Sequence, residues 1–316
     1  MIHGIINVYK EKGYTSHDVV ARLRGITGQR KVGHTGTLDP DAVGVLPVCF
    51  GRGTKLCDLL AEKDKVYEAV LLLGVETDTQ DITGTVLHTA DTEGLMESSV
   101  REAIGTFVGD YDQIPPMYSA LKVGGKKLCD LAREGKTVER KARRVHIFEI
   151  EILEFALPRI RMRVGCSKGT YIRTLCHDIG QKLSCGGCME ELVRIRSGQF
   201  ELRDAYTLEQ IEAFRDAKTL DEIVLPVDQM FPGYAKMAVK PEYEKLAYNG
   251  NSFPAGALEQ PRRQDGANSR PDIVIPDNGT IVRVYDREGR FIGLYRYREA
   301  KRDYTIVKMF FDKEDN

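Results

Sequence analysis

The 316-residue chain contains no tryptophan, and no stretch of it approaches the roughly 20 apolar residues that a bilayer-spanning helix needs. Its opening, MIHGIINVYK, lacks the basic start and long apolar run of a secretory leader, so no membrane association and a cytoplasmic location are expected. Without a secretory route, the sequon-like Asn278-Gly279-Thr280 reads as a turn. The seven cysteines, at 49, 57, 129, 166, 176, 185 and 188, are odd in number and irregularly spaced, which excludes a tidy disulfide framework and favours free thiols. Cys185 and Cys188 could bind zinc only if Cys176 and His177 joined them, because such a site wants four ligands; no metal is expected. Charge of one sign is also missing: 46 Lys and Arg against 47 Asp and Glu leave a net −1, against indiscriminate polyanion binding. Gly51-Arg-Gly-Thr-Lys55 lacks the spacing of a Walker loop.

What is present is unevenly distributed. Between Lys122 and Arg144 stand nine Lys and Arg against three acids, a plausible phosphate-binding footprint or a solvated basic face. Strands are predicted at Gly4 to Tyr9, Tyr67 to Leu73, Gly84 to His88, Val145 to Phe155 and Ile160 to Ser167. Helical spacing marks 17–27, with Ser16 as N-cap, and 97–107, 125–134, 170–183 and 207–216. Strand and helix do not alternate regularly, so the expected class is α+β, a central mostly antiparallel sheet with flanking helices. Residues 1–232 are expected to form that domain. Residues 233–316 are expected to form a small β-rich one, with strands near 280–285, 291–297 and 304–311 and a loop from Asn249 to Asn278.

Residues 31–55, KVGHTGTLDPDAVGVLPVCFGRGTK, carry the chemistry-bearing pattern. Gly33, Gly36 and Gly44 permit tight backbone, and Pro40 biases Asp39 away from helix, so Asp39 sits on a stiff loop beside an apolar run. A part-buried carboxylate there would be tuned for catalysis; alternatively, Asp39-Pro40 merely starts a turn.

The stretch Gly33-His-Thr-Gly-Thr-Leu-Asp-Pro40 resembles the signature of the TruB and dyskerin group of pseudouridine synthases. Four further stretches match that group in order: Lys65-Val-Tyr67 with Thr77-Asp-Thr-Gln-Asp81, Pro115 to Lys122, Cys166 to Arg173, and Leu192-Val-Arg194 with Ser197-Gly198. The resemblance implies an RNA cleft, a PUA-like C-terminal module, and isomerisation of uridine at position 55 in the tRNA T-arm with no cofactor. Asp39 would be the catalytic carboxylate, acting at C1′, at C2′ or through its charge alone; Arg173 would hold it bidentately, which explains how an enclosed Asp39 stays ionised. Tyr67 would stack on the base and relay a proton, unless it only packs its strand. Leu192 would wall the base pocket, His34 would help flip the uridine out, and Lys10, Lys122, Lys126 and Arg143 would meet phosphates. Glu11, Val43 and Cys129 depart from the family pattern at positions away from the presumed chemistry. A guide-RNA-dependent dyskerin-like enzyme and a non-catalytic tRNA-binding protein are the alternatives. The 124–138 insertion and the lack of long basic tails oppose the first, and the survival of Asp39, Tyr67 and Arg173 opposes the second. A monomer without an obligate protein partner is expected.

Overall fold

The computed structural model describes residues 1–260 and 276–311. A ten-stranded sheet runs in the order Leu225–Pro226, Gly4–Lys10, Val43–Phe50, Gly187–Ser197, Lys65–Leu73, Arg159–Cys166, Arg143–Ala156, Gly109–Gln113. Two short strands join it at the side, Phe200–Glu201 on Gly187–Ser197 and Val32–His34 on Val43–Phe50. Every pairing is antiparallel except that of Gly187–Ser197 with Val43–Phe50, so the sheet is of the expected kind.

Val43–Phe50 reads as an unbroken apolar run, and Gly4–Lys10 as one interrupted only by the buried Asn7 and Lys10, because both faces of these strands are covered. Ile6, Val8, Leu46 and Val48 pack against the helices Ser16–Thr27 and Leu208–Asp216. Ile5, Val45 and Cys49, one residue out of step, face Leu56, Leu60, Met230 and Phe231. Each such side chain contributes about 1.5–3 kcal/mol by leaving water, enough to fix the register of both strands.

The helix starts where expected, but its cap is different. Thr15, not Ser16, is the N-cap: its hydroxyl accepts the Asp18 N–H at 3.1 Å, and the Asp18 carboxylate accepts the Thr15 N–H at 2.8 Å. Ser16 is left free to accept the Leu38 N–H at 2.9 Å, one residue before Asp39. In the 125–134 region the helix is confined to Leu128–Arg133. Before it, Lys122–Val123 and Lys126–Lys127 form a hairpin whose tip, Gly124-Gly125, has φ of 59° and 85°, a left-handed turn that glycine alone adopts freely.

A six-stranded, β-rich sheet follows, in the order Phe253–Pro254, Asp303–Met309, Phe291–Arg298, Ile281–Tyr285, Ala235–Val239, Leu258–Glu259. It has its own core around Val239, Phe253, Val284 and Tyr295. Leu294 and Phe310 also join the cluster beneath Ile5 and Val45, so the two sheets share apolar packing. The expected loop from 249 to 278 contains two short strands, at 253–254 and 258–259; its stretch 261–275 lies outside the described residues.

Gly44 joins fold to site. It has φ of +109°, and a Cβ there would meet the Arg194 carbonyl oxygen at 2.3 Å, across the one parallel contact in the large sheet. Gly44→Ala is expected to cost roughly 2–3 kcal/mol of stability, from a strained backbone plus an overpacked strand contact. Urea denaturation measures this, and an unchanged midpoint would show that the close approach is not constraining.

Candidate functional site

Asp39 lies on the loop between Val32–His34 and Val43–Phe50. The backbone there is held from several sides. Pro40 O accepts from the Gly13 N–H at 2.9 Å and from the Lys10 ammonium at 3.0 Å, while Ala42 N–H closes back on Asp39 O at 3.1 Å. Leu38 and Ala42, both buried, anchor the loop in the same apolar cluster as Tyr67. The Arg194 guanidinium donates to Val45 O at 2.7 Å and to Thr37 O at 3.4 Å, on either side of Asp39.

Arg173 projects from the first turn of the helix Ile172–Lys182 and is buried. Its Nε lies 3.0 Å from Asp39 Oδ2 and its Nη2 is 3.4 Å from Asp39 Oδ1, a side-on bidentate approach. The remaining N–H capacity goes to Asp81 Oδ2 and Thr79 O, each at 3.2 Å, and to Tyr118 O at 2.9 Å. One side chain therefore fastens three separated segments, at 39, 79–81 and 118, to its own helix. Asp39 keeps 38% of its side-chain surface accessible, although dense protein surrounds its other sides. That burial raises its pKa above the ordinary carboxylate value of 3.8; Arg173 opposes the rise, the neighbouring Asp81 adds to it and Lys10 opposes it. The carboxylate faces the opening and is shared rather than fully neutralised.

Tyr67 and Leu192 line the same apolar cluster as Leu38. Tyr67 is 8% exposed, so only a small part of its side chain is open to a ligand. Burial raises the pKa of its phenol, Arg194 opposes that rise, and Asp39 adds to it. His34 is half-buried at the start of the loop, edge-on to His17 with ring centroids 5.1 Å apart. Its Nδ1 accepts the Gly36 N–H at 3.3 Å, and burial, with His17 nearby, lowers its pKa below 6.5. A neutral ring at pH 7, with its proton on Nε2, follows.

Lys10 differs from its expected place among phosphate contacts. It has no exposed surface: the ammonium lies under the loop, donating to Glu11 O and Pro40 O, and desolvation lowers its pKa to about 8. It supports the Asp39 loop and has no face to offer a phosphate. Lys122, Lys126 and Arg143 do lie at the surface. Lys126 has Glu134 at 3.8 Å, and Arg144, counted in the same basic run, is tied to Asp112 at 2.7 Å. Among the described residues Lys122, Lys127, Lys141 and Arg143 have no carboxylate within 4.0 Å. Arg143 also lies near the Tyr171 phenol, close to Arg173 and Asp39, so the basic surface runs toward the site.

A surface groove of about 630 Å³ between the Ser16–Thr27 and Leu208–Asp216 helices, lined by Tyr14, Arg22 and Arg215, contains none of these residues. The site is marked instead by the convergence of buried polar groups on Asp39. Two participants went unassigned in the sequence. Asp81 stands inside a quoted motif, but its spacing gives no hint that it shares Arg173. Arg194 looks like one more arginine in a charged strand until its burial is seen.

A family model described as TruB family pseudouridylate synthase, N-terminal domain, matches residues 24–172. One described as the tRNA pseudouridylate synthase B C-terminal domain matches 173–232. The chain is 50% identical to the tRNA pseudouridine synthase B of Lachnoclostridium phytofermentans, over 98% of its own length and 100% of the relative's. It is 46% identical to that of Clostridioides difficile, over 97% and 99%. Among solved structures it resembles a chain of a Cbf5-Nop10-Gar1 complex, with a TM-score of 0.69 and 25% identity, covering 99% of this chain and 86% of that one. A chain of an H/ACA RNP bound to a substrate RNA containing 2'-deoxyuridine shares the fold, with a TM-score of 0.68, 22% identity and coverage of 99% and 86%.

The opposed influences on Asp39 make its titration a direct probe of the site. Its carboxyl should titrate above 3.8, and Arg173→Gln should raise the value further, because the opposing cation is removed while the burial and Asp81 remain. Carbon NMR of aspartate-labelled protein reads both values; a downward move in the variant would contradict the assignment of Arg173 as the counter-ion.

Proposed function

Because the chain belongs to the TruB family of pseudouridylate synthases, we propose that it converts uridine to pseudouridine at position 55, in the T-arm of tRNA, with Asp39 as the catalytic carboxylate. The observation that supports this reading most is the part-exposed Asp39 carboxylate, 3.0 Å from a buried guanidinium, with Tyr67 and Leu192 in the adjoining apolar cluster. The reaction breaks the C1′–N1 bond, rotates the base and forms C1′–C5; C5 gives up its proton to a nearby base or solvent and the freed N1 takes one up. Every atom and electron is conserved, so the chemistry itself calls for no redox or nucleotide cofactor.

Positive character develops at C1′ as the glycosidic bond breaks, and a carboxylate aimed at that carbon stabilises it most where water is excluded. A raised pKa leaves Asp39 more basic than a fully paired aspartate, which suits attack at C1′, proton abstraction at C2′ and charge stabilisation alike. Tyr67 would meet the base and Leu192 would wall its other side. A T-loop uridine is stacked, so it must leave its stack to reach the cleft floor. The neutral His34 ring at the loop's edge can occupy the space left behind or bond an exposed base edge. Lys122, Lys126, Arg143 and the free cations around them would grip phosphates, concentrating positive charge at one surface of a nearly neutral chain. The reaction would run in the cytoplasm on a monomer without a protein partner, since Asp39, Tyr67 and Arg173 all come from one chain.

Asp39→Asn should abolish pseudouridine formation, read by chemical mapping of a tRNA pool, while tRNA affinity stays within about 3-fold; retained turnover would remove Asp39 from the mechanism. Arg173→Lys should lower kcat about 100-fold, because one ammonium cannot reproduce the fork that holds Asp39, Asp81 and two carbonyls together. The same mapping with purified protein and naked tRNA tests autonomy. Modification at position 55 without added RNA supports the reading, and turnover only after a guide RNA is supplied would replace it with the guided alternative.

A further inference from the structure

Arg194 is the largest of the fully buried side chains, with 1% of its surface exposed, and the reaction scheme gives it no task. Among the described residues no carboxylate lies within 4.0 Å of it. A buried cation without a counter-ion is costly, so its remaining contacts must hold it firmly. Those contacts are two backbone oxygens, Val45 O at 2.7 Å and Thr37 O at 3.4 Å, together with the neighbouring Tyr67 phenol. The two carbonyls flank the Asp39 loop, one in the strand that leaves it and one in the approach. Its third nitrogen, Nη2, is buried with no protein partner of hydrogen-bonding geometry.

Strand register says what lies on the other side. Arg194 is directly opposite Tyr67 in the antiparallel pairing of Gly187–Ser197 with Lys65–Leu73. Side chains of directly opposed residues share a face, with Cβ atoms about 4.5–5.5 Å apart. On the far edge of the same strand, Arg194 pairs in parallel with Gly44, whose missing side chain allows the close approach. Arg194 therefore stands between the strand that carries Tyr67 and the segment that carries Asp39. We propose that Arg194 is a positioning residue that locks the Asp39 loop to the Tyr67 strand, holding carboxylate and phenol at a fixed separation across the cleft. This inference rests on the reading of Asp39 and Tyr67 given above. The guanidinium also holds down the phenol's pKa against the rise that burial imposes, so it tunes as well as places Tyr67.

Lysine at 194 keeps a cation but loses the fork that reaches two carbonyls, and methionine keeps the bulk without charge. In the full-length protein, Arg194→Lys should retain the folded circular dichroism spectrum and bind tRNA within about 3-fold of the parent, while kcat falls about 100-fold and KM stays within about 3-fold. Amide hydrogen exchange at residues 38–42 should quicken. Arg194→Met should move the alkaline limb of the kcat profile to higher pH, because the cation that opposes the rise in Tyr67 is gone. A folded Arg194→Lys with parental kcat or unchanged exchange at 38–42 overturns the proposal. So does an activity loss that follows unfolding in both variants, or an unmoved alkaline limb in a folded Arg194→Met; either outcome assigns Arg194 to the core alone. Asp39→Asn assayed alongside separates the two readings: if it turns over, the underlying mechanism falls, whereas an inactive Asp39→Asn beside a fully active Arg194→Lys sinks only the role of Arg194.

Discussion

The site depends on how one guanidinium is divided. All three nitrogens of Arg173 are engaged, with two carboxylates and two backbone carbonyls drawn from three separated stretches of chain. Burial raises the Asp39 pKa more than Arg173 lowers it, so the cation steadies the carboxylate without holding it at low pKa. Asp81 takes part of the cation's field and adds its own negative charge, so burial prevails and Asp39 is shifted upward. The same sharing explains the packing. A buried arginine must satisfy its N–H groups, and the Thr79 and Tyr118 carbonyls do so by bringing the 77–81 and 115–122 segments against the helix that starts at Ile172.

Much of this was legible in the sequence, for reasons that differ by element. The Tyr67 to Leu73 run was readable because a strand buried on both faces stays apolar apart from Glu68, which is part-exposed and paired with Arg163. The Val43–Phe50 run was seen as apolar but not as a strand, since Pro47 argues against a central position. The structure accommodates it where the strand changes neighbours on one edge, between its parallel contact at Val43 and Gly44 and its hairpin pairing at Val48 to Phe50. Gly187–Ser197 escaped because register shifts at Met189/Glu191 and Arg194/Arg196 break the alternation of inward and outward residues that reveals a strand. The Ser16 cap was misplaced by one residue because Thr15 and Ser16 are both good cap residues, and only the tertiary bond from Leu38 shows which of them was needed elsewhere.

The candidate site divides in the same way. Asp39 was legible as a stiff-loop aspartate and its company by resemblance, but nothing local predicts a contact between residues 39 and 173, which are far apart in sequence. Lys10 shows the opposite limit. A lysine beside Glu11 and Lys12 has the composition of a surface, yet its strand is covered on both faces and its ammonium ends beneath the Asp39 loop. Sequence records which groups are available, whereas burial decides whether a charge is offered to a ligand or spent on backbone.

Two arginines beside one carboxylate would be redundant if both acted on its charge, and their contacts show that they do not. Arg173 touches the Asp39 oxygens and sets how basic they are. Arg194 reaches main-chain oxygens on either side of Asp39 and the Tyr67 phenol but makes no bond to the Asp39 oxygens, so it can fix the position of Asp39 without drawing off the negative charge that the chemistry uses. A carboxylate that must be both placed and left reactive requires this separation, because each added hydrogen bond to its oxygens would improve position at the expense of basicity. Assigning placement to backbone contacts and electrostatics to a shared ion pair meets both demands at once. It also accounts for a buried cation with no acid of its own: a counter-ion would have pulled the Arg194 fork away from the two carbonyls it spans.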